Sequence, residues 1–274
     1  MSSSHPKITP RRPKFNFDNT PLVWSKHPEF AMIWNAQSTA APYAEPYLNK
    51  VMLLAKDKLG GKDSPMAEEI DNFVRQEAIH YQMHIRFNER FYKAGYDVKE
   101  QEAALKADYD EMLGKRSLAF NAGYCTGFEN FTLFTAKFMF ETADDLFEGA
   151  EASGGDIWLW HLAEEFEHRC VAHNVFAAVS GNYFMRIYGT LYSYFHLNKR
   201  LGEMTKITLG KFRAGMSDEE RAASLRREKE YKSRYARFAL PRMLAILVPF
   251  YDPARYKTSK KIDDALAHYA AMSA

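Results

Sequence analysis

A chain of 274 residues that is 46% hydrophobic and 15% aromatic can bury a full core in one large domain, which excludes a disordered chain or a mini-protein. Its 37 basic residues against 35 acidic ones leave a formal charge of +2, too balanced for the single-sign field on which nucleic-acid binding rests. The two cysteines, Cys125 and Cys170, lack zinc or redox spacing, exclude a disulfide framework and read as small buried hydrophobes.

Residues 1–26 read as a basic, Pro-containing arm lying over the surface, and no chemistry is assigned to them. The opening lacks the apolar stretch of a signal peptide, so a cytoplasmic protein is expected. Residues 27–274 read as a single helical domain: Ala, Leu, Met, Glu, Lys and Phe recur at three-and-four spacings, and strict apolar alternation is hard to find. The fold class is all-α. A first long helix is expected from about Glu29 to Leu59, bent at Pro42 and Pro46 and stopped by Gly60-Gly61. A second follows the Asp63-Ser64-Pro65 start signal and runs to Gly95. Residues 96–114 are polar and are expected as an exposed crossing segment. Further helices are expected over about 117–141, 155–179, 183–211, 218–235 and 260–273. Two stretches, Tyr183 to Leu197 and Phe238 to Tyr251, are rich in apolar and aromatic residues. Arg186, Gly189 and His196 interrupt the first and Pro241, Arg242 and Pro249 the second, so neither makes a membrane span. Both read as buried helix, the second also as a candidate roof for an apolar pocket or a membrane-surface contact.

Five of the nine histidines fall in two short stretches, RQEAIHYQMH at 75–84 and WHLAEEFEHRCVAH at 160–173. At about 100° per residue, Glu77, His80 and His84 share an arc of roughly 60° on one helix face. Glu165 and His168 repeat the three-residue spacing, and His161 sits one turn before Glu165 on the same face. Glu164 lies at the edge of that arc, Glu167 points further away and His173 falls off it. Carboxylates and imidazoles on faces otherwise built from Phe73, Ile79, Phe87, Leu162 and Phe166 are costly to bury without a partner. A metal ion suits both ligand types, and the set favours iron, manganese or zinc. Two completing glutamates are sought on the neighbouring helices. Glu45 lies among small and aromatic residues, and Glu129 is the only charge in a run of about fifteen. The order Glu45, Glu77-x-x-His80, Glu129, Glu165-x-x-His168 is the ligand pattern of a ferritin-like four-helix bundle carrying two metals, here with additional C-terminal helices. His84, His161 and Glu164 are held as extra ligands or as groups that orient the ligands. Arg75, Gln76, Tyr81 and Arg169 read as flanking hydrogen-bonding or surface residues. The stripe Phe128, Phe131, Phe134 and Phe138 reads as core.

With these motifs in place, roughly residues 10–250 resemble the bacterial family labelled predicted metal-dependent hydrolases, a ferritin-like group. The resemblance rests on Arg75, Gln76, Glu77, His80 and His84 in one helix and on His161, Glu164, Glu165, Glu167, His168 and Arg169 in another. It implies that Glu45 and Glu129 occupy the other metal-facing positions. Asn130, where similar sequences often carry His, and His173-Asn174, where an aromatic residue and Asp are commoner, depart from the pattern.

The leading expectation is a di-iron oxidase or oxygenase acting on an apolar small molecule, with two metal ions, iron ahead of manganese or zinc, and an electron donor. A metal-dependent hydrolase using the same site to activate water is the alternative, and metal storage in a cage-like assembly a second one. A homodimer is expected on general grounds, without a residue-level argument.

Overall fold

The computed structural model describes residues 8–273; the first seven residues of the arm and Ala274 lie outside the described residues. The described residues form helices and no strand: α1 (Pro28–Ser38), α2 (Ala41–Lys58), α3 (Ala67–Lys93), α4 (Lys99–Lys115), α5 (Leu118–Glu141), α6 (Ala152–His168), α7 (Val171–Val179), α8 (Tyr183–Phe212), α9 (Asp218–Ile246) and α10 (Lys260–Ala271). No helix among them is long and apolar enough to cross a membrane.

Where the expected first helix should bend, it breaks into α1 and α2. Pro42 has no N–H to give the Ser38 carbonyl, so that carbonyl accepts instead from Asn88 Nδ2 at 3.0 Å. Thr39 Oγ1 and its own N–H both turn back to the Ala36 carbonyl, and the chain restarts at Ala41 with Pro46 tolerated inside α2. The polar stretch expected as a crossing segment is the helix α4. It buries Glu102, Leu105, Tyr109 and Met112 on one face, so sparse apolar content is enough. The expected fourth helix is interrupted just after His168, where the Arg169 guanidinium takes the Phe166 carbonyl at 2.6 Å and competes for that rung of the ladder. α9 runs on past Pro241 to Ile246, beyond the end read from the sequence.

Two antiparallel pairs make the bundle that positions the candidate site. α2 packs on α3, and α5 packs on α6 and α7. α8 lies against α5 at small residues: a Cβ on Gly189 would stand 2.5 Å from the backbone of Gly123, and one on Gly127 2.7 Å from Thr190 Cα. That close approach fixes the helix carrying Glu129. A single apolar core runs through all these elements, with Phe73, Phe87, Phe134, Phe138, Trp160 and Phe166 fully buried.

Candidate metal centre

The bundle interior holds an unusual density of buried ionisable groups. Glu45, Glu77, His80, Glu129, Glu165 and His168 are each at most 2% exposed, and they come from α2, α3, α5 and α6. They fall into two clusters. Donor atoms of Glu45, His80 and His161 lie within 4.8 Å of one another, and so do those of Glu77, Glu129, Glu165 and His168. Glu77 and Glu165 stand between the two: Glu77 is 2.8 Å from His168 Nδ1 and 3.9 Å from His80 Nδ1, while Glu165 is 2.9 Å from His161 Nε2 and 3.7 Å from both His80 Nδ1 and His168 Nδ1.

The test of whether a cation suits this arrangement is what the donor atoms otherwise do. Both oxygens of Glu77 and Glu129, one each of Glu45 and Glu165, and Nδ1 of His80 and His168 are buried without a hydrogen-bond partner. Glu77 and His168 Nδ1 approach to 2.8 Å without aligning as a hydrogen bond, and both belong to the second cluster of donor atoms. Buried carboxylates without partners are costly, and a divalent cation is the group that satisfies oxygen and imidazole nitrogen together.

Each histidine is oriented by the residue preceding the glutamate of the opposite motif. His80 Nε2 bonds Glu164 at 2.8 Å, and His168 Nε2 bonds the Gln76 side-chain oxygen at 2.7 Å. Both rings therefore turn Nδ1 inward. Glu164 is thus a supporting group whose carboxylate faces His80 and Arg11. His84 belongs to neither cluster. Its Nε2 is 2.7 Å from His161 Nδ1 and its Nδ1 is 2.7 Å from Ser38 Oγ, which donates on to Asn88. This chain leaves His161 Nε2 facing Glu165 and Glu45.

The arm, to which no chemistry was assigned, reaches this network. Arg11 donates to Glu164 and to both oxygens of Glu167, and Gln76 Nε2 donates to Glu167 and to the Thr9 carbonyl. Gln76, expected as a flanking hydrogen-bonding or surface residue, is a buried partner of His168, and nothing in the sequence pointed to Arg11. His173 lies away from the cluster, half-buried against Tyr251, whose hydroxyl donates to Asn130.

Burial and the neighbouring carboxylates hold Glu45, Glu77 and Glu129 above the ordinary carboxylate range. Burial also opposes ionisation of Glu165, but hydrogen bonding and charge from His161 and His168 win and hold it well below. Burial works against protonation of His168, yet Glu77 and Glu165 keep its pKa well above the usual imidazole range. His80 and His84 are lowered by burial and by His161. Burial lifts Glu164 to about 7 against the pull of Arg11.

The sequence profile of the family described as predicted metal-dependent hydrolase matches residues 9–257. The chain belongs to this family. Neither a comparison with curated proteins nor one with solved structures gives a match. Membership supports metal dependence and, of the expected activities, favours hydrolysis; it lends nothing to di-iron oxidation. A chamber of about 90 Å³ touches Glu45, His161 and Glu165, and Phe128 and Phe131 form part of its wall. The phenylalanine stripe is therefore divided: Phe134 and Phe138 are core, whereas Phe128 and Phe131 line the chamber.

Proposed function

We propose that the protein is a dinuclear metal-dependent hydrolase of a ferritin-like bundle, with Glu45, His80 and His161 at one ion, Glu129 and His168 at the other, and Glu77 and Glu165 between them. The observation that carries this reading is the gathering of buried donor atoms, eight of them unpartnered, into two adjacent clusters inside a four-helix interior. Bound divalent ions would supply Lewis-acid polarisation of a carbonyl and a nucleophilic water near neutral pH. The chain's own part is to aim the donors, several of which burial and neighbouring carboxylates keep protonated until metal binding displaces the proton. Glu164 and Gln76 fix the rings of His80 and His168, and the His84–Ser38–Asn88 chain fixes His161. Trp158, Phe128, Phe131 and Leu162 give the chamber an apolar wall beside these donors. The reaction is addition of water across an ester-like bond: the new C–O bond forms at the carbonyl carbon, the bond to the leaving oxygen breaks, and that oxygen leaves with a proton from the water.

A second reading keeps the same donors for iron and dioxygen. The carboxylate-rich, thiolate-free set and the apolar chamber favour it, and it requires an electron donor. Metal analysis comes first: about two ions per chain are expected, and no uptake of Fe(II), Mn(II) or Zn(II) under anaerobic loading refutes both readings. Loaded protein is then assayed for ester hydrolysis with and without oxygen. Turnover that survives anaerobiosis supports hydrolysis; turnover that consumes oxygen and needs a reductant overturns it in favour of the second reading.

A further inference from the structure

The inner chamber has a larger neighbour. A cavity of about 660 Å³ opens between α8 and α9, within the size range of small-molecule sites. It shares Trp34, Gln37, Phe131, Thr135 and Leu201 with the inner chamber, so these five side chains border both and stand as the neck between them. The neck is fixed. Trp34 Nε1 donates to Tyr231 Oη at 2.9 Å and its ring meets Trp158 edge-on at 4.4 Å, while Thr135 Oγ1 pairs with Tyr235 Oη at 2.9 Å.

The walls select for hydrocarbon. Lys232 is the one formally charged side chain lining the outer cavity; it is more than half exposed and already paired with Glu228. The mouth is apolar as well: Phe195, Leu240 and Leu244 line it and are 66%, 59% and 58% exposed. Isolated exposed apolar residues are ordinary, but here they rim a cavity that adjoins the chamber of the candidate centre. At about 30 Å³ per water, the inner chamber of about 90 Å³ holds roughly three water-sized groups. Little of the substrate beyond the reacting bond fits there.

Resting on the reading of the centre given above, we propose that the substrate is a single-chain aliphatic amphiphile that reacts at its end. Its hydrocarbon chain lies along the α8–α9 cavity, and its terminal carbonyl group, with a small leaving group, passes the aromatic neck to the face of Glu45, His161 and Glu165.

Gly202 provides a clean probe. It lines the outer cavity, and a Cβ there meets nothing within 4 Å, so Gly202→Leu fills the cavity without crowding the backbone and improves local helix propensity. A fluorescent straight-chain fatty acid is bound to the full-length protein and displaced by dodecanoic acid, its methyl ester, butyric acid or adamantane carboxylic acid. Displacement by the two long-chain compounds but not by the short or compact ones is expected. Gly202→Leu should weaken probe binding by about tenfold or more, with metal content and circular dichroism unchanged. If that variant fails to fold, Leu244→Glu at the exposed rim should give the same loss. Equal displacement by compact and straight acids, or full binding in both variants, overturns the proposal. Metal uptake without chain binding refutes this inference and leaves the centre standing. Chain binding without metal uptake refutes the centre, and with it the assignment of the chain as substrate.

Discussion

Taking the cation away from so many buried carboxyl groups should leave a protein whose stability falls as pH rises, and adding it back should help most at high pH. Above pH 6.5 the signs can be worked group by group. His168 has a raised folded pKa, so it stays protonated in the fold while the unfolded chain has released the proton; stability is lost as pH climbs through the folded value. Glu45, Glu77 and Glu129, also raised, remain neutral longer than in the unfolded chain and act in the same direction from about pH 4.5 upward. Glu164 adds to the loss until about 7. His80 and His84 are lowered; their contribution is complete by about 6.5 and is flat above it. Glu165 is lowered and contributes a constant amount throughout this window.

Each group that keeps its proton only in the fold lowers stability by about 1.4 kcal/mol per pH unit. The unfolded imidazole is only half deprotonated at pH 6.5, so His168 alone predicts a loss of about 1 kcal/mol from pH 6.5 to 7.5 in metal-free protein, a fall in Tm of roughly 2–4 °C. Metal at a hundred times its Kd adds about 2.7 kcal/mol, or roughly 5–11 °C, and its affinity rises with pH because binding displaces protons. The assay is calorimetry or fluorescence melting of chelated and reloaded protein at pH 6.5, 7.0 and 7.5. A metal-free Tm that rises over this range, or a metal-induced gain that shrinks with pH, refutes the electrostatic reasoning.

Three substitutions test other parts of the arrangement. Glu129→Gln keeps the shape and removes a carboxyl that repels its neighbours, so melting at pH 7.5 should show the metal-free variant more stable by about 1 kcal/mol, while elemental analysis finds less metal per chain. Arg11→Ala strips Glu164 and Glu167 of charge-assisted hydrogen bonds and should cost about 1.5–3 kcal/mol in urea unfolding; a neutral result would mean the arm is ornamental to the centre. His84→Gln loosens the orientation of His161, and chelator competition should report metal affinity about 10–100-fold weaker with secondary structure intact.

The helical class and most helix positions could be read from the sequence because apolar spacing and Gly-Gly or Asp-Ser-Pro punctuation are local signals. The breaks were harder. Thr39 and Arg169 end helices by turning side chains onto backbone carbonyls, and the first break also needs Asn88, 50 residues away, to satisfy the carbonyl that Pro42 leaves free. The candidate donors were legible for a different reason. Glu129 is conspicuous as a charge in an apolar run, and Glu-x-x-His aligns its two side chains on one face whatever the tertiary context. Arg11 was not legible, since a basic residue in a basic arm looks like solvated surface until its long-range carboxylate partners are known. The same holds for Phe131, where periodicity marks a buried face but cannot tell a packed wall from one that borders a chamber.

The centre has two unlike sides, and this bears on where substrate can react. Arg11, Gln76, Glu164 and Glu167 form a continuous hydrogen-bonded brace, and none of them lines the inner chamber. Glu45, His161 and Glu165 do line it. In the proposed assignment these belong to the half containing His161, whose imidazole is steadied by neutral partners, His84 and Ser38, rather than by the charged brace that reaches His80 through Glu164. The braced side has the partners to hold ligand geometry, while the chamber side offers apolar walls and room for a reacting group. A duplicated ligand pattern thus need not give two equivalent reaction sites: under the proposed assignment, the end that substrate would meet is that of Glu45 and His161, which line the chamber.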